Sequence, residues 1–226
     1  KMKRILLTSL FILSLLAPSH AAPLPNSSLL LWLPLDEGSG TLSADRSPNQ
    51  LEAELTNVQW VKGAFGTAAH FGGTNASIDL PPVPALNGAT QCTISVWATW
   101  EGTGRYPNLL TTDNWSPGGL MLFVSDNACS FRMGRPGEHA SAPGNAWTET
   151  SVGLLNALPR RQWVHLCVVF ALPNITSYVN GKPVDKGTWS YPVEADGLRI
   201  GGWSGSVCHS GLISDVRIYG RALTPQ

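Results

Sequence analysis

Charged residues are scarce in this sequence, and neither sign of charge dominates. Asp, Glu, Lys and Arg make up 13% of the 226 residues, and the formal net charge is zero. No basic patch or stripe stands out, so the charge pattern does not favour nucleic-acid binding. Gly, Pro and Trp are abundant instead, with 23, 17 and 9 residues. This composition is typical of a globular all-β domain with many turns.

The apolar run near the amino terminus is too short to cross a bilayer. It extends over residues 5–16, after Lys3 and Arg4 and before small residues at 19–22. A spanning helix needs about 20 apolar residues, whereas a basic start, a short apolar stretch and small exit residues are typical of a cleaved export signal. We therefore expect a secreted or periplasmic protein. The predicted signal, linker and single domain occupy residues 1–22, 23–28 and 29–226.

Cysteine is also rare, and all four cysteines follow the predicted signal. No two of them have the C-x-x-C spacing of a metal site, and the histidines lack H-x-x-x-H spacing. In an oxidising compartment, an even number permits two disulfides in any of three pairings. Four buried thiols are the alternative. The residues concerned are Cys92, Cys129, Cys167 and Cys208.

Helical periodicity is missing over any long stretch, while alternation of apolar and polar residues recurs. Residues 92–100 place Ile94 and Val96 on one face and Trp97 on the other, and residues 163–171 send alternate apolar side chains inward. Asn180-Gly181 is a strong hairpin signal because both residues tolerate positive φ. About a dozen such strands, separated by Gly, Pro and Asn turns, predict a two-sheet β-sandwich.

Several segments, in this order, carry a resemblance to a known family. They include "LLLWLPLDEGSG", "CTISVW", "RRQWVHLCVVF", "SYVNGKPV" and "GLISDVRIYGRAL". Together they resemble the laminin-G-like, pentraxin-like jelly roll of the concanavalin-A-like lectin/glucanase superfold, over residues 29–223. The resemblance implies an all-β, two-sheet antiparallel jelly-roll sandwich. It says little about function, because one fold carries many activities.

The resemblance also implies that the first and last strands lie side by side and close one sheet. Alternation within the last strand then divides its residues between two faces. One face would carry Leu212, Val216 and Ile218, and the other Ile213, Asp215, Arg217 and Tyr219.

The patterns that catalysis would need are missing. Glycosidases of this superfold carry a strand that reads E-x-D-x-x-E, which supplies the two carboxylates that face each other across the cleft. No such pattern occurs in this sequence. A G-x-S-x-G nucleophile motif is also absent. Gln162 and His165 match the family's structural W-x-H strand better than a lyase site. We therefore predict a binding module rather than an enzyme, with a diverged hydrolase or lyase as the less favoured reading.

Many relatives hold a calcium ion at the rim of the sandwich, and the resemblance implies candidate ligands here. Calcium prefers six to eight oxygen ligands from carboxylates, amides and carbonyls. Pro48 and Gly72 depart from the family pattern, and Asp45 and Asn49 could instead close a turn through side-chain bonds. The four candidates for a structural calcium ion are Asp36, Asp45, Asn49 and Asp215.

Tryptophans in turns suggest a ligand site. Indole rings stack on the apolar faces of sugars, and exposed aromatic side chains in loops indicate binding. Trp32 and Trp97 fall in strands and are assigned to packing. We therefore expect carbohydrate of the extracellular space or cell wall as the ligand, with an extracellular protein as the alternative. The predicted ligand set is Trp115, Trp147, Trp203, Arg105 and His139.

The resemblance to pentraxins further implies a disulfide pairing. Pentraxins join the strand that resembles "CTISVW" to the strand that resembles "WVHLCVVF". This analogy pairs Cys92 with Cys167 and leaves Cys129 with Cys208.

Overall fold

A computed structural model of the protein describes residues 28–102, 107–112, 119–125, 128–136, 147–202 and 208–224. The predicted signal at residues 1–22 lies outside this part of the chain, so it stays a prediction. Within the described residues, no helix is long and apolar enough to cross a membrane.

The described residues form sixteen strands in two antiparallel sheets. Sheet A has the order β14-β13-β12-β7-β16-β5-β4, with β1 also paired to β16, and sheet B has the order β11-β10-β9-β8-β15-β6-β3-β2. The all-β, two-sheet prediction is confirmed. The strands are β1 (Leu29–Leu33), β2 (Leu42–Ala44), β3 (Glu52–Thr56), β4 (Val58–Gly63), β5 (Gly66–Gly72), β6 (Ser77–Leu80), β7 (Gln91–Ala98), β8 (Asn108–Thr112), β9 (Gly119–Ser125), β10 (Ala128–Pro136), β11 (Trp147–Leu155), β12 (Val164–Ala171), β13 (Asn174–Val179), β14 (Lys182–Thr188), β15 (Leu198–Ile200) and β16 (Ser210–Tyr219).

The first and last described strands pair, as the resemblance implied. Leu31 lies opposite Ile218 and Leu33 lies opposite Val216 in an antiparallel register. All four side chains are fully buried. Each stabilises the fold by roughly 1.5–3 kcal/mol through the apolar surface that it removes from water.

Alternation places the core between the two sheets. On β12, Val164, Leu166, Val168 and Phe170 are buried, and the residues between them are partly exposed. The adjacent β7 buries Ile94, Val96 and Ala98. The core-facing residues predicted on β7 and β12 are therefore confirmed. The opposite faces of these two strands form the outer surface of sheet A.

The Asn180-Gly181 hairpin is also confirmed. Asn180 has φ 50° and Gly181 has φ 77°, which is the left-handed conformation that a tight hairpin turn requires at both central residues. The turn connects β13 to β14, which pair in antiparallel register.

A β-bulge in β16 corrects one detail of the sequence prediction. The register between β16 and β7 shifts between Ser214 and Arg217, and Asp215 has φ 48°. The extra residue reverses the alternation, so Ile213 is fully buried with Val216 whereas Leu212 is partly exposed. The predicted faces of Leu212 and Ile213 were therefore wrong. The predicted faces of Val216, Arg217, Ile218 and Tyr219, which follow the bulge, are confirmed.

Neither predicted disulfide is present, since none of the four cysteines is in a disulfide. Cys92 lies opposite Phe170, and Cys167 lies opposite Ser95. Residues that oppose each other share a face, so Cys92 faces the core and Cys167 the outside.

The second predicted pair, Cys129 and Cys208, is separated by two strands. Cys129 lies on β10, whereas Cys208 bridges to Asn108 on β8. Strands β8 and β9 both lie between them, and paired strands are about 4.8 Å apart. This separation is too large for a disulfide.

A candidate binding groove on the outer face of sheet A

The outer face of sheet A carries a groove of about 280 Å³. Its side chains come from β1, β5, β7 and β16, from the β4–β5 turn, and from the segments that follow β1 and β2. The pairing registers align one row of outward residues across neighbouring strands, Trp32, Arg217 and Ser95. We call this feature the sheet A groove.

Aromatic rings form one side of the sheet A groove. Trp97 points outward from β7, and Phe65, which is 61% exposed, lies in the turn between β4 and β5. Their ring centroids are 5.0 Å apart in an edge-to-face arrangement, which is a favoured geometry for aromatic pairs. Because β16 lies between β5 and β7, this turn reaches across β16 to bring Phe65 onto Trp97.

Trp32 is held on the other side of the groove by charged groups. Its indole Nε1 donates to Asp215 Oδ1 at 2.9 Å. The guanidinium of Arg217 lies over the ring at 4.7 Å, and that of Arg46 lies at 5.9 Å. These distances fall within the range of cation–π attraction.

The β16 bulge positions the carboxylate that Trp32 binds. The Asp215 N–H donates to the Pro34 carbonyl at 3.1 Å, which ties the bulge to the segment after β1. Arg217 Nε also donates to Asp215 Oδ1, at 2.9 Å. A second ion pair joins Arg46 to Asp36 at 2.6 Å. Each arginine of the groove is therefore matched by an aspartate.

A serine–histidine pair lies beside Trp97. Ser95 Oγ and His165 Nε2 are 2.7 Å apart, and the imidazole packs on Trp97 at 5.1 Å. Burial lowers the pKa of His165, Asp215 raises it and Arg217 lowers it further. The imidazole is therefore neutral at pH 7. Asp215 Oδ1 binds Trp32 and Arg217, and no hydrogen bond between Asp215 and the imidazole is seen among the contacts of the described residues.

Asp45, a calcium candidate, has its carboxylate occupied by protein donors. Oδ1 accepts from the N–H groups of Trp32 and Ser47, and Oδ2 accepts from the Ser47 hydroxyl and the Leu51 N–H. Asn49 donates its side-chain amide to the Leu30 carbonyl. These are the turn-closing contacts of the alternative reading.

The other two calcium candidates face arginines. Asp36 pairs with Arg46, and Asp215 pairs with Arg217. In the part of the chain that the structure describes, no three His, Cys, Asp or Glu side chains are grouped to hold a metal ion. All four candidate side chains already have partners within the protein, and calcium binding remains a prediction from the resemblance alone.

The predicted ligand set falls almost wholly outside the described residues. Trp115, Trp203, Arg105 and His139 lie there, and Trp147 begins β11 without a described side chain. That prediction therefore stays a prediction. Another turn tryptophan, Trp189, is only 4% exposed and packs against Tyr191.

Sequence reasoning missed the sheet A groove because its tryptophans lie in strands. Alternation had already placed Trp97 on the face opposite Ile94 and Val96, and that position was the available signal. Trp32 lies in a wholly apolar run, where alternation gives no information. Phe65 contributes from a turn and had no sequence signal.

Searches of solved structures find the same fold. One match is domain 4 of AbnA, a GH43 extracellular arabinanase from Geobacillus stearothermophilus, in a structure with arabinotriose. It is 20% identical to this chain, with a TM-score of 0.66, and the match covers 88% of this chain and 95% of that one. The botulinum neurotoxin DC binding domain in complex with SialylT is 15% identical, with a TM-score of 0.67 over 88% of this chain. The same toxin domain with rat synaptotagmin II has a TM-score of 0.65 at 15% identity.

This chain spans about half the length of the toxin binding domains, 49% in both structures. At these identities, the likeness shows the fold alone. A search of curated protein sequences finds no match.

A family model matches residues 71–226, from the end of β5 to the last residue of the chain. The matched part includes β7, β12 and β16, which form the centre of sheet A. The chain therefore belongs to the Laminin_G_3 family of the concanavalin A-like lectin/glucanases superfamily.

Proposed function

We propose that this protein is an exported, non-catalytic carbohydrate-binding module, and that the sheet A groove is its binding site. The observation that carries the proposal is the combination of Trp32, Phe65 and Trp97 with paired carboxylates and guanidinium groups around one open groove. Ligand sites combine apolar walls with a few placed polar groups in this way.

A sugar ring matches both parts of the groove. Its apolar C–H face can stack on an indole ring, and its hydroxyls both donate and accept hydrogen bonds. Asp36 and Asp215 supply acceptors, while Arg46 and Arg217 supply donors. The indole of Trp97 is held by Phe65 and His165, so little side-chain entropy is lost when a ligand binds.

The structural neighbours support a binding role. One was solved with arabinotriose, and another is a toxin binding domain in complex with SialylT. A related toxin structure contains synaptotagmin II, which keeps an extracellular protein as the alternative partner. Export through the predicted signal at residues 1–22 is part of this proposal, whereas calcium is not required by it.

A glycan array followed by calorimetry tests the proposal. The purified protein is applied to plant, bacterial cell-wall and animal glycans, with arabinotriose included, in the presence and absence of EDTA. The affinity of each hit is then measured for Trp97→Ala and for Tyr178→Ala. Tyr178 is the matched control because it lies on the same outer face, opposite Cys167 on β12, but does not line the groove.

We expect Trp97→Ala to weaken glycan binding by about 2 kcal/mol, the loss typical of a central aromatic anchor. Tyr178→Ala should leave the affinity unchanged. Binding that survives Trp97→Ala would place the site elsewhere. A protein partner captured in the absence of any glycan hit would favour the adhesion alternative.

A further inference from the structure

The charges that line the sheet A groove are compensated within the groove. Arg217 is 2.9 Å from Asp215, and Arg46 is 2.6 Å from Asp36. The side chains of both pairs are between 27% and 42% exposed, so both can reach a ligand. Neither arginine is left as an unmatched positive charge, and neither aspartate as an unmatched negative one.

We infer that the sheet A groove selects uncharged saccharides and rejects those with a carboxylate or an ammonium group. This inference rests on the proposed carbohydrate-binding function and names its ligand class. A sugar carboxylate would lie near Asp36 and Asp215, and their repulsion would offset its attraction to the arginines. The sugar carboxylate would also lose its hydration without gaining an unpaired arginine as a partner.

A cationic sugar is disfavoured by a separate observation. An ammonium group would be attracted to the face of an indole ring, but Arg217 already lies over Trp32 at 4.7 Å. The ammonium group would therefore meet a guanidinium at the position that it prefers.

Hydroxyl groups avoid both conflicts. Arg217 uses Nε for Asp215, and Arg46 uses one Nη for Asp36. A guanidinium has five N–H donors, and a carboxylate has about four acceptor positions. The unused positions can bind neutral hydroxyls without separating either ion pair, and hydrogen bonds to charged groups are stronger than neutral ones.

Matched glycan pairs test this inference. Each acidic oligosaccharide on the array is compared with its carboxyl-reduced product, such as an oligogalacturonide and the galactose oligomer made from it. We expect the neutral member to bind at least about tenfold more tightly. Its affinity should also be nearly constant from low to high salt, because no net charge is neutralised.

A variant pair sharpens the test. The Asp36→Asn, Asp215→Asn double variant removes both carboxylate charges, and asparagine tolerates the positive φ of residue 215. We expect neutral glycans to bind about tenfold more weakly and acidic glycans to gain affinity. Asp79→Asn is the control, because Asp79 pairs with Arg199 on sheet B at a similar exposure of 35%.

The outcomes separate the two proposals. Acidic glycans that bind as tightly as neutral ones, through a site that Trp97→Ala destroys, would overturn neutral selectivity and leave the carbohydrate site intact. The absence of any glycan binding, or binding that Trp97→Ala does not affect, would overturn the proposed function and this inference with it.

Discussion

The two sheets share one core, but their outer faces differ. On sheet A, Trp97 and Trp32 point outward beside an open groove, and Phe65 is 61% exposed. On strand β9 of sheet B, Met121 and Phe123 alternate with core residues yet are only 6% and 3% exposed. Sheet B is therefore covered on both faces along this strand, whereas sheet A keeps an outer face open to solvent.

This difference separates stability from binding. A side chain that is buried on either face of a sheet contributes mainly to folding, since its truncation leaves a cavity. An aromatic ring in an open groove contributes little to folding and can bind a ligand. Substitutions in the core should therefore affect the whole molecule, and substitutions on the open face should affect binding alone.

The largest expected effect is on the shared core. Phe170 is fully buried on β12, so Phe170→Ala should lower the free energy of unfolding by about 3–5 kcal/mol, the usual cost of deleting a buried phenylalanine. Urea denaturation checks this value. A change below about 1 kcal/mol would mean that β12 does not pack as described.

The next effect is a loss of stability in acid at the junction of the two sheets. His209 follows Cys208, which bridges to β8 of sheet B, and precedes Ser210, which begins β16 of sheet A. Its imidazole is fully buried beside the rings of Phe71 and Trp100. Burial lowers the pKa of His209 from 6.5 to about 4, although the nearby backbone of Thr99 and Leu212 opposes this shift.

Proton binding determines the direction in which stability changes with pH. Between pH 6.5 and about 4, the unfolded chain binds a proton at His209 that the folded protein does not. The stability that the neutral His209 contributes is therefore fully present above pH 6.5. As the pH falls to about 4, the free energy of unfolding decreases by roughly 3 kcal/mol. Urea denaturation at pH 7 and pH 4.5 measures this loss, and His209→Gln should reduce it.

His70→Gln is the control for loss of a nearby imidazole, because His70 is partly exposed beside Glu101 and itself contributes to lowering the pKa of His209. An NMR titration of the native imidazole provides a check that does not depend on any variant. Protonation of His209 near pH 6.5 in the folded protein would contradict this account.

A smaller effect is expected from the exposed aromatic ring at the edge of the groove. Phe65 contacts Trp97 but is largely in solvent. Phe65→Ala should weaken glycan binding by about 1 kcal/mol, the order of one aromatic pair, and leave stability nearly unchanged. Calorimetry and urea denaturation test the two parts, with Val184→Ala as the control, since Val184 is exposed on β14 outside the groove. A loss of stability as large as that of Phe170→Ala would make Phe65 part of the core.

The smallest effect concerns the thiols. Burial raises the pKa of Cys92 to about 12 and that of Cys167 to about 11, and it raises the pKa of Cys129 further. We therefore expect slow alkylation at neutral pH, with Cys167 the first of these three to react. Reductant should not change the unfolding midpoint, because no disulfide is present. A non-reduced peptide that joins any two cysteines would contradict the structure.

The sequence predicted the parts of the fold that follow from alternation. Ile94 and Phe170 face the core as their positions indicate, and β1 pairs with β16 as the resemblance implied. It failed where one extra residue reverses the alternation, at Asp215. It failed again for the disulfide pairing, because Cys92 lies three residues before the position that the resemblance matches, and Ser95 rather than Cys92 lies opposite Cys167.

The site was harder to predict than the fold. The groove combines Trp32, Phe65, Trp97 and Arg217, which are far apart in the sequence and meet only through the order of β1, β16, β7 and the β4–β5 turn. Alternation identifies an outward face, but it does not show whether that face is open or covered, as the contrast between Trp97 and Phe123 demonstrates.

The central claim is that a glycan binds on the outer face of sheet A. The most direct test is to titrate a ¹⁵N-labelled sample with the strongest glycan hit and to follow the indole N–H resonances by NMR. Single Trp→Phe variants assign the nine indoles. We predict that Trp32 and Trp97 shift while Trp100 and Trp189, which are buried in the core, do not. Shifts confined to Trp115, Trp147 and Trp203 would contradict the account and place the site in the turns.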